Sequence, residues 1–512
     1  MATSSIKTQL RQLLVPKTFL LLIFLFALYF LTRLINLDTI PVFADEAIYI
    51  RWAQIMKNEP TLRFLPLSDG KQPLFMWLII PFLKFVSDPV IAGRLTSVAA
   101  GFGTLVGLLA LVWYITRSRF SAVLVALLYI LTPYTLFFDR MALADSLLAM
   151  FSVWSAFFGI LLINHPRLDL SLLLGFVLGG AFITKSPGLF FILLQPTLLL
   201  IVTTRRKTHF LKILSGWFIA FLLGFAIYNI LRLGPNFHLI SSRNLDYIFP
   251  VSEAITHPLN PLTGNLKATF SWFTLLLTWP VFILLLLSPF ANAKKSPYIF
   301  ALIFWSLLPL LAQAFVAKVY TPRYLLYIIP LLLVVATISL SDLSTRLKPR
   351  LFSILLVLVF AFLGFSSFTL LTKPTQARLP ERMRSGYFRE WTAGYGLKEI
   401  AAYLEQRSQS ATLVVGTEGY FGTLPDGLQI YTEGKPNITV IGVGQPVTKL
   451  PESLLNSLEE HEVYLLVNNT RNLLTPIELT RLEPIATYPR LPPLSGEAEY
   501  LEFFRLHLHP VR

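Results

Sequence analysis

The chain has 512 residues, of which 54% are hydrophobic and only 14% are charged. Soluble globular chains carry about 25% charged residues, so this composition predicts a polytopic membrane protein. Cysteine is absent, which excludes disulfides, thiolate zinc sites and cysteine nucleophiles. The net charge of +15 does not indicate a nucleic-acid partner. The basic residues lie in short clusters between apolar runs, as the positive-inside rule predicts for a membrane protein.

Long apolar runs follow one another along most of the chain. Most of them approach the roughly 20 residues that a membrane-spanning helix needs. They cover residues 18–37, 95–116, 120–138, 146–163, 169–184, 187–203, 211–232, 269–290, 297–316, 324–341 and 351–371. The first run follows a polar, basic segment and predicts a retained anchor. We therefore expect about eleven transmembrane helices.

A shorter run from Pro73 to Val86, interrupted by Pro81 and Lys84, decides the topology. If this run lies at the membrane surface, nearly every tight basic cluster falls on the cytoplasmic side, as the positive-inside rule requires. Those clusters contain Lys7, Arg11, Lys17, Arg117, Arg119, Arg167, Arg205, Arg206, Lys207, Lys294, Lys295, Arg346, Lys348 and Arg350. We therefore predict a multi-pass protein of the cell membrane with a cytoplasmic amino terminus. The outer segments are then 38–94, 139–145, around Lys185, 233–268, 317–323 and everything after Leu371.

The composition changes to mixed charge and turn residues after about residue 373. Short β-like runs occur at Thr412–Gly416, Ile438–Val443 and Val463–Val467, and helical patterns occur near 395–407 and 451–460. This alternation predicts a small extracytoplasmic α/β domain at 373–512, after a transmembrane domain at 1–372. The glycines of Gly416–Gly422 follow a strand, and we interpret them as a turn rather than a phosphate-binding loop.

The adjacent acids Asp45 and Glu46 come just after the first apolar run. Carboxylates at the edge of a bilayer are costly to desolvate and often mark chemistry. One interpretation is a general base, with an acidic neighbour, that deprotonates an attacking hydroxyl or amine group. The alternative is a pair of acids that favours the N-terminus of a helix.

A second constellation lies in the predicted outer segment 139–145. Asp145 precedes a predicted spanning helix, and it is either an N-terminal cap or a site carboxylate. Arg140 carries a planar cationic fork that suits phosphate, or it extends its charge to the interface.

Several further cations fall on the predicted outer face, against the general charge bias. They are Lys71, Arg94, Lys185 and Arg323, the last followed by Tyr324. Cations around one cavity would stabilise a lipid phosphate leaving group. The histidines are scattered without the spacing of a zinc helix. His257, in the large outer loop 233–268, remains a weak candidate for contact with an acceptor.

At these residues the sequence resembles the GT-C glycosyltransferases, in particular the family that joins protein O-mannosyltransferases and lipid A aminoarabinose transferases. The matching phrases are Asp45-Glu46 with Tyr49 and Trp52, Lys71-Gln72-Pro73-Leu74 with Trp77, Gly93-Arg94-Leu95 with Ser97, Arg140 with Asp145, Thr184-Lys185-Ser186-Pro187, and Pro322-Arg323-Tyr324. Their order and their predicted common face make the resemblance specific, and it covers about residues 18–345. The segment after about 373 matches none of these phrases.

The resemblance implies inverting transfer of one sugar from a polyprenyl-phosphate donor to an extracytoplasmic acceptor, which would be a protein hydroxyl, a lipid or an envelope glycan. It implies a catalytic role for Asp45, and from the residues themselves we also predict Glu46 and Asp145 as catalytic carboxylates. Lys71, Arg94, Arg140, Lys185, Arg323 and Tyr324 would contact the donor phosphate, and Tyr49 and His257 the acceptor. A divalent metal ion near Asp45 and Asp145 is left open as a cofactor.

Two other function classes compete with this interpretation. A transporter or flippase of a lipid-linked sugar would also place charges in membrane helices, but it would favour inverted repeats and charges at mid-bilayer. A glycan ligase or polymerase would share the architecture without depending on an acid pair in the first outer loop.

Overall fold

The structure is a computed structural model that describes residues 16–202, 206–290, 295–494 and 496–510. Lys7, Arg11, Arg205 and Lys294, used in the topology prediction, lie outside this part of the chain. Its first half contains α1 (Pro16–Leu34), β1 (Val42–Phe43), α2 (Ala44–Asn58), α3 (Leu74–Phe82), α4 (Pro89–Thr116), α5 (Arg119–Leu131), α6 (Pro133–Phe138), α7 (Ala144–Asn164), α8 (Leu168–Phe182), α9 (Leu189–Leu193) and α10 (Lys207–Asn229).

The helical part continues to residue 372. It contains α11 (Leu239–Asn244), α12 (Val251–Thr256), α13 (Leu262–Trp272), α14 (Trp279–Leu286), α15 (Ser296–Val316), α16 (Ile329–Arg346) and α17 (Pro349–Thr372). Short 3₁₀ turns at Ser186–Gly188 and Pro322–Ile328 precede α9 and α16. Proline at the start of each turn lacks the N–H that would otherwise need a partner there.

Within the described ranges, seven helical stretches are long and apolar enough to cross a membrane. They are Pro89–Thr116, Ala144–Asn164, Lys207–Leu233, Leu262–Phe290, Ser296–Val316, Pro322–Arg346 and Pro349–Thr372. Four shorter apolar helices cover Thr18–Leu34, Arg119–Leu131, Leu168–Phe182 and Ser186–Ile201. Together they coincide with the predicted apolar runs. The protein is therefore a multi-pass helical membrane protein, and the number of helices that cross stays a prediction.

The run at 73–86 forms only α3, a helix of 9 residues with Pro81 inside it. Such a helix is about 14 Å long, less than half the roughly 30 Å of the hydrocarbon layer. Its first N–H group bonds to the carbonyl of Ile183 at 3.1 Å. This contact joins α3 to the end of α8.

The segments predicted to lie outside the membrane meet at one end of the helix bundle. The backbone N–H of Ala142 donates to Glu46, at 2.7 Å, and the N–H of Phe249 donates to the carbonyl of Val316, also at 2.7 Å. Lys71 reaches the loop before α12 through Tyr247. All these segments therefore share one face of the bundle, whereas the side of the membrane that this face occupies stays a prediction.

The chain after α17 forms a mixed five-stranded sheet. Its elements are α18 (Glu381–Arg384), β2 (Ala393–Gly394), α19 (Leu397–Arg407), β3 (Leu413–Glu418), α20 (Asp426–Thr432), β4 (Ile438–Gly444), α21 (Glu452–Ser457), β5 (Glu462–Asn468), α22 (Pro476–Leu479), β6 (Leu482–Pro489) and β7 (Tyr500–Leu506). The strand order is β4-β3-β5-β7-β6, with β3 parallel to β4 and β5. The predicted β-like runs and helices correspond to β3, β4, β5, α19 and α21, whereas β6 and β7 were not predicted.

This sheet region packs on the helix that carries Asp45. Strand β1 pairs with β2, with Val42 opposite Gly394. Shortly before β2 in the chain, the ring of Tyr387 packs on the ring of Phe43, with 4.5 Å between their centroids. The Gln54 side chain of α2 donates to the carbonyl of Ile430 in α20, at 2.8 Å. The C-terminal region and the first outer segment therefore form one packed unit beside the bundle end.

Candidate active site

A cavity of about 360 Å³ opens at this end of the bundle, and a recess of about 40 Å³ adjoins it. The recess is lined by Asp45, Tyr49 and Arg323. Both spaces are lined by Lys71, Gln72, Lys185 and Tyr324. The larger chamber continues between mostly apolar side chains, including Leu148, Leu189, Phe190, Val316 and Tyr320. A charged recess thus joins an apolar chamber.

The local fold explains how residues so distant in sequence meet there. Asp45 lies in the first turn of α2 and Asp145 in the first turn of α7, where a negative charge is favoured by the helix dipole. Lys185 lies in the break between α8 and the Ser186–Gly188 turn, which Pro187 helps to form. Arg323 lies in the 3₁₀ turn that Pro322 begins. Each functional side chain is therefore held at the end of a helix.

Acids and cations form pairs around the recess and the cavity. Arg323 bonds to Asp45, whose side chain is 26% exposed. The Lys185 ammonium donates to Asp145, at 2.6 Å, and lies 4.5 Å from the centre of the Tyr324 ring. Each carboxylate is therefore held by its own cation, Asp45 in the recess and Asp145 in the wall of the larger cavity.

Lys71 faces the same recess from the segment before α3. Its ammonium donates to the Tyr247 hydroxyl at 2.8 Å, and it lies 4.0 Å from Asp69. The adjacent Gln72 donates to the Ser186 hydroxyl at 2.9 Å. Lys71 and Lys185 therefore approach the cavity from two different elements.

The cations keep Asp45 ionised. Burial raises the pKa of this carboxyl, but the positive charges of Arg323, Lys71 and Lys185 outweigh burial and lower the pKa below its usual value. Burial also lowers the pKa of Lys185, and the partial compensation by Asp145 leaves it below its ordinary value. For Lys71, contact with Tyr247 and the charge of Asp45 outweigh burial and raise the pKa. An ionised carboxylate thus lies among cations.

Glu46 and Arg94, which the sequence predicts to be catalytic and phosphate-binding, pair with each other away from the cavity. Their side chains are 0% and 1% exposed. Glu46 accepts from Arg94 at 2.8 and 2.9 Å, and Arg94 donates to the carbonyls of Leu37 and Ile40. With their hydrogen-bonding groups occupied inside the protein, neither can contact a donor phosphate or an acceptor. Their placement corrects that prediction.

Arg140 also differs from its predicted role. It is buried, and its guanidinium donates to the carbonyls of Thr32, Ile35 and Asn36 at 2.6–3.0 Å. These carbonyls end α1, where helix groups lack partners and a positive charge is favoured. Arg140 therefore caps a helix and does not line the cavity. His257 is exposed at the end of α12 and is also absent from the lining.

Comparison with known proteins shows what this chain is similar to. Residues 66–237 match the family described as dolichyl-phosphate-mannose-protein mannosyltransferase. Among solved structures, the chain is similar to ArnT from Cupriavidus metallidurans bound to undecaprenyl phosphate, with a TM-score of 0.57 and 15% identity over 96% of this chain and 98% of that one. The chain has the GT-C glycosyltransferase fold. No curated protein matches the sequence.

A second ArnT structure, in the apo state, is similar over 95% of this chain and 97% of that chain, with 15% identity and a TM-score of 0.55. The resemblance inferred from the sequence is thus confirmed. The family model covers residues 66–237, about a third of the chain, and the two solved structures share the fold of the chain. The matched segment contains Lys71, Asp145 and Lys185 of the cavity, while Asp45 and Arg323 lie outside it.

Several residues in or beside the cavity were missed in the sequence. Tyr247 and Arg243 come from the outer loop before α12, and Arg243 pairs with Asp69 at 2.6 Å. Tyr387, from the C-terminal region, packs against Phe43. Burial raises the pKa of Tyr387, and the positive charge of Arg323 partly opposes this effect. Their only common sequence signal is a polar or aromatic side chain in a predicted outer segment, which many other residues share.

The carboxylates do not suit a divalent metal ion. Asp45 is held by Arg323 and Asp145 by Lys185, and Lys71 adds a third positive charge. In the ranges that the structure describes, no three His, Asp or Glu residues are grouped to hold a metal. Hard divalent cations need several oxygen ligands free of competing cations. The ion left open near Asp45 and Asp145 therefore lacks a fitting donor set.

Proposed function

We propose that this GT-C protein transfers one sugar, with inversion, from a polyprenyl-phosphate-linked donor to a hydroxyl-bearing acceptor outside the membrane. The observation that carries the proposal is the recess where Asp45 lies among Lys71, Lys185 and Arg323, joined to an apolar chamber of about 360 Å³. An isoprenoid is apolar and its phosphate is anionic, so a donor matches both halves of this space.

The three cations and Tyr324 are the proposed donor-phosphate contacts. When the bond between the anomeric carbon and the phosphate oxygen breaks, the bonding pair leaves with the polyprenyl phosphate. Fixed positive charges in a partly dehydrated site stabilise that negative charge as it develops. Asp145 holds Lys185 through the 2.6 Å ion pair, so its proposed role is to position this cation.

Asp45 is the proposed base. It accepts the acceptor hydroxyl proton while the acceptor oxygen bonds to the anomeric carbon. The cations that keep Asp45 ionised also weaken it as a base. A bound phosphate would neutralise those cations and raise the pKa of Asp45, so the base becomes stronger when the donor is in place. Tyr49, which lines the same recess, is the proposed neighbour of the acceptor.

The test compares Asp45→Asn with wild type and with Glu253→Gln, which removes an exposed carboxylate of α12. Cells carrying each variant are compared by mass spectrometry of their glycans and glycoproteins. General-base catalysis contributes roughly 10²–10⁴-fold, so we expect the product to fall to background in Asp45→Asn and to persist in Glu253→Gln. Binding of polyprenyl phosphate to purified Asp45→Asn should remain. Normal product in Asp45→Asn would overturn the proposal.

A further inference from the structure

The carboxyl ends of the parallel strands β3, β4 and β5 form one edge of the C-terminal sheet. The chain leaves β3 toward β4 on one side, while β5 lies on the other side of β3. In open α/β sheets, ligands bind beside the carboxyl ends of strands where the connections diverge. This edge carries the glycine-containing segment Gly416–Gly422, to which the catalytic proposal assigns no role.

The loop after β3 holds two aromatic side chains toward solvent. Tyr420 is 71% exposed and Phe421 is 43% exposed. The backbone on either side is fixed, because the N–H of Gly419 donates to the carbonyl of Gly444 and the N–H of Gly422 donates to Asp426, both at 2.7 Å. Both glycines have positive φ, +75° and +112°, which other residues rarely adopt. The two rings are therefore held on a loop whose backbone is fixed by hydrogen bonds on both sides.

A series of aromatic contacts joins this loop to the catalytic recess. The Phe421 ring lies 5.7 Å from Trp52 of α2, and Trp52 is stacked on Tyr49 at 6.1 Å. Tyr49 lines the recess beside Asp45. The exposed rings are thus linked to the recess of the proposed base through packed side chains.

Polar groups accompany the rings at the same edge. Glu418, at the end of β3, accepts from the backbone and side chain of Asn468 and from Arg471. The guanidinium of Arg471 lies 4.1 Å from the Trp391 ring centre, and its side chain is 20% exposed. Asn468 is buried, and its side-chain oxygen has no hydrogen-bond partner. The edge therefore combines exposed aromatic rings with a partly exposed guanidinium.

We propose that this edge is a carbohydrate-binding subsite, which holds the glycan of a glycosylated acceptor so that its hydroxyl reaches Asp45. A sugar ring has an apolar C–H face that packs on aromatic rings and a rim of hydroxyls that need donors and acceptors. Both kinds of group are present here. This subsite rests on the proposed function, because only the transfer reaction requires an acceptor.

The experiment measures binding of the purified full chain, in detergent, to arrays of defined oligosaccharides and defined peptides. Tyr420→Ala and Phe421→Ala each remove one ring, and Ile477→Ala removes a side chain that is 77% exposed on α22. Loss of one aromatic contact should weaken oligosaccharide binding about fivefold. We expect that loss in both ring variants and unchanged binding in Ile477→Ala. Equal thermal unfolding of the three variants will show that the loss is local.

Two results would overturn the subsite: unchanged oligosaccharide binding in both ring variants, or no binding of wild type to oligosaccharides, whether or not it binds peptides. Asp45→Asn separates the two proposals. It should bind oligosaccharide as wild type does while transfer is lost. Loss of transfer in Asp45→Asn without oligosaccharide binding by wild type would leave the proposed function standing and remove the subsite alone. Normal transfer in that variant would remove the proposed function.

Discussion

Asp45 and Glu46 are neighbours in sequence, yet their surroundings differ sharply. Asp45 is one-quarter exposed in a recess with Arg323, whereas Glu46 is fully buried against Arg94. The chain turns as α2 begins, so consecutive side chains point in different directions. The first carboxylate can meet a ligand, while the second ties the segment before α2 to the backbone of Ala142. A chemical role and a structural role therefore occupy adjacent positions.

The effect of the Lys71 charge on Asp45 can be tested through the pH dependence of transfer. Because Lys71 helps to lower the pKa of Asp45, Lys71→Met should raise that pKa. A base works only when deprotonated, so the acid limb of kcat/KM should move to higher pH. The control is Lys57→Met, because Lys57 lies on α2 with Asp45 but is exposed and is not among the charges that act on Asp45. An acid limb that stays in place, or moves to lower pH, contradicts the assignment of Asp45 as the base.

The different roles of the two acids also predict different effects on stability. Removing one partner of a buried ion pair costs about 3–5 kcal/mol, because a buried charge is left unpaired. Glu46→Gln should therefore lower the free energy of unfolding by an amount in this range, measured in detergent. Asp45→Asn should cost less, since the Asp45 side chain is 26% exposed and its ion pair is partly hydrated. Equal destabilisation by the two variants would show that both acids are structural.

At the scale of elements, buried arginines stabilise the ends of membrane helices. Arg140 donates to the last carbonyls of α1, and Arg33 donates to Tyr129 and Ile130 at the end of α5. Backbone carbonyls at a membrane surface need partners when water is excluded. An arginine in an outer segment can therefore either bind a phosphate or cap the end of a helix.

This ambiguity explains which site residues were predictable. Lys71, Lys185 and Arg323 were found because hydropathy locates helix ends and basic residues are unusual on that face. The same reasoning selected Arg94 and Arg140, since the sequence carries no signal for which carbonyls a side chain will reach. Tyr247 was missed because the path of the loop 233–268 depends on tertiary contacts, such as that with Lys71.

The number of crossing helices can be tested by cysteine labelling in this cysteine-free chain. Five apolar helical stretches lie between Ser118 and Gly264, and an odd number of crossings places the two positions on opposite sides. Gly264 tolerates a side chain, because a Cβ there meets nothing within 4 Å. We expect an impermeant thiol reagent to label Gly264→Cys in intact cells and Ser118→Cys only after permeabilisation.

Two other labelling patterns have defined meanings. Labelling of both positions in intact cells would show that one of the shorter helices does not cross. The reverse pattern would show that the segment containing α3 crosses, despite its length of about 14 Å. Either result would change the predicted orientation of the cavity.

At the scale of the whole molecule, α2 is shared by the cavity and the C-terminal region. Asp45 and Tyr49, four residues apart, line the recess. Arg51 and Gln54, three apart, contact Glu433 and Ile430 on the other side. Residues spaced three or four apart lie on one face of a helix. The sheet region therefore supports the helix that carries the proposed base, and this coupling depends on contacts nearly 380 positions apart in sequence, which local patterns cannot reveal.

A disulfide between α2 and α20 tests whether this docked arrangement is the active one. A Cβ built on Gly427 lies 3.7 Å from that of Ala47, close to the 3.8 Å typical of disulfides. The same Cβ meets the end of the Leu397 side chain at 2.7 Å, which a rotamer change can relieve. Ala47→Cys with Gly427→Cys should therefore form an intrachain disulfide on oxidation, detected by mass spectrometry of unreduced peptides.

Transfer by the oxidised double variant should match transfer by its reduced form, because the bond only fixes an existing contact. Ala47→Cys alone is the control for the effect of the substitution, and it should give no intrachain bond. Failure to form the disulfide would contradict the packing of α20 on α2. A disulfide that forms but blocks transfer until it is reduced would instead show that the C-terminal region must move away from α2 during each reaction. Asp45 would then lack the support of the C-terminal region when the sugar is transferred.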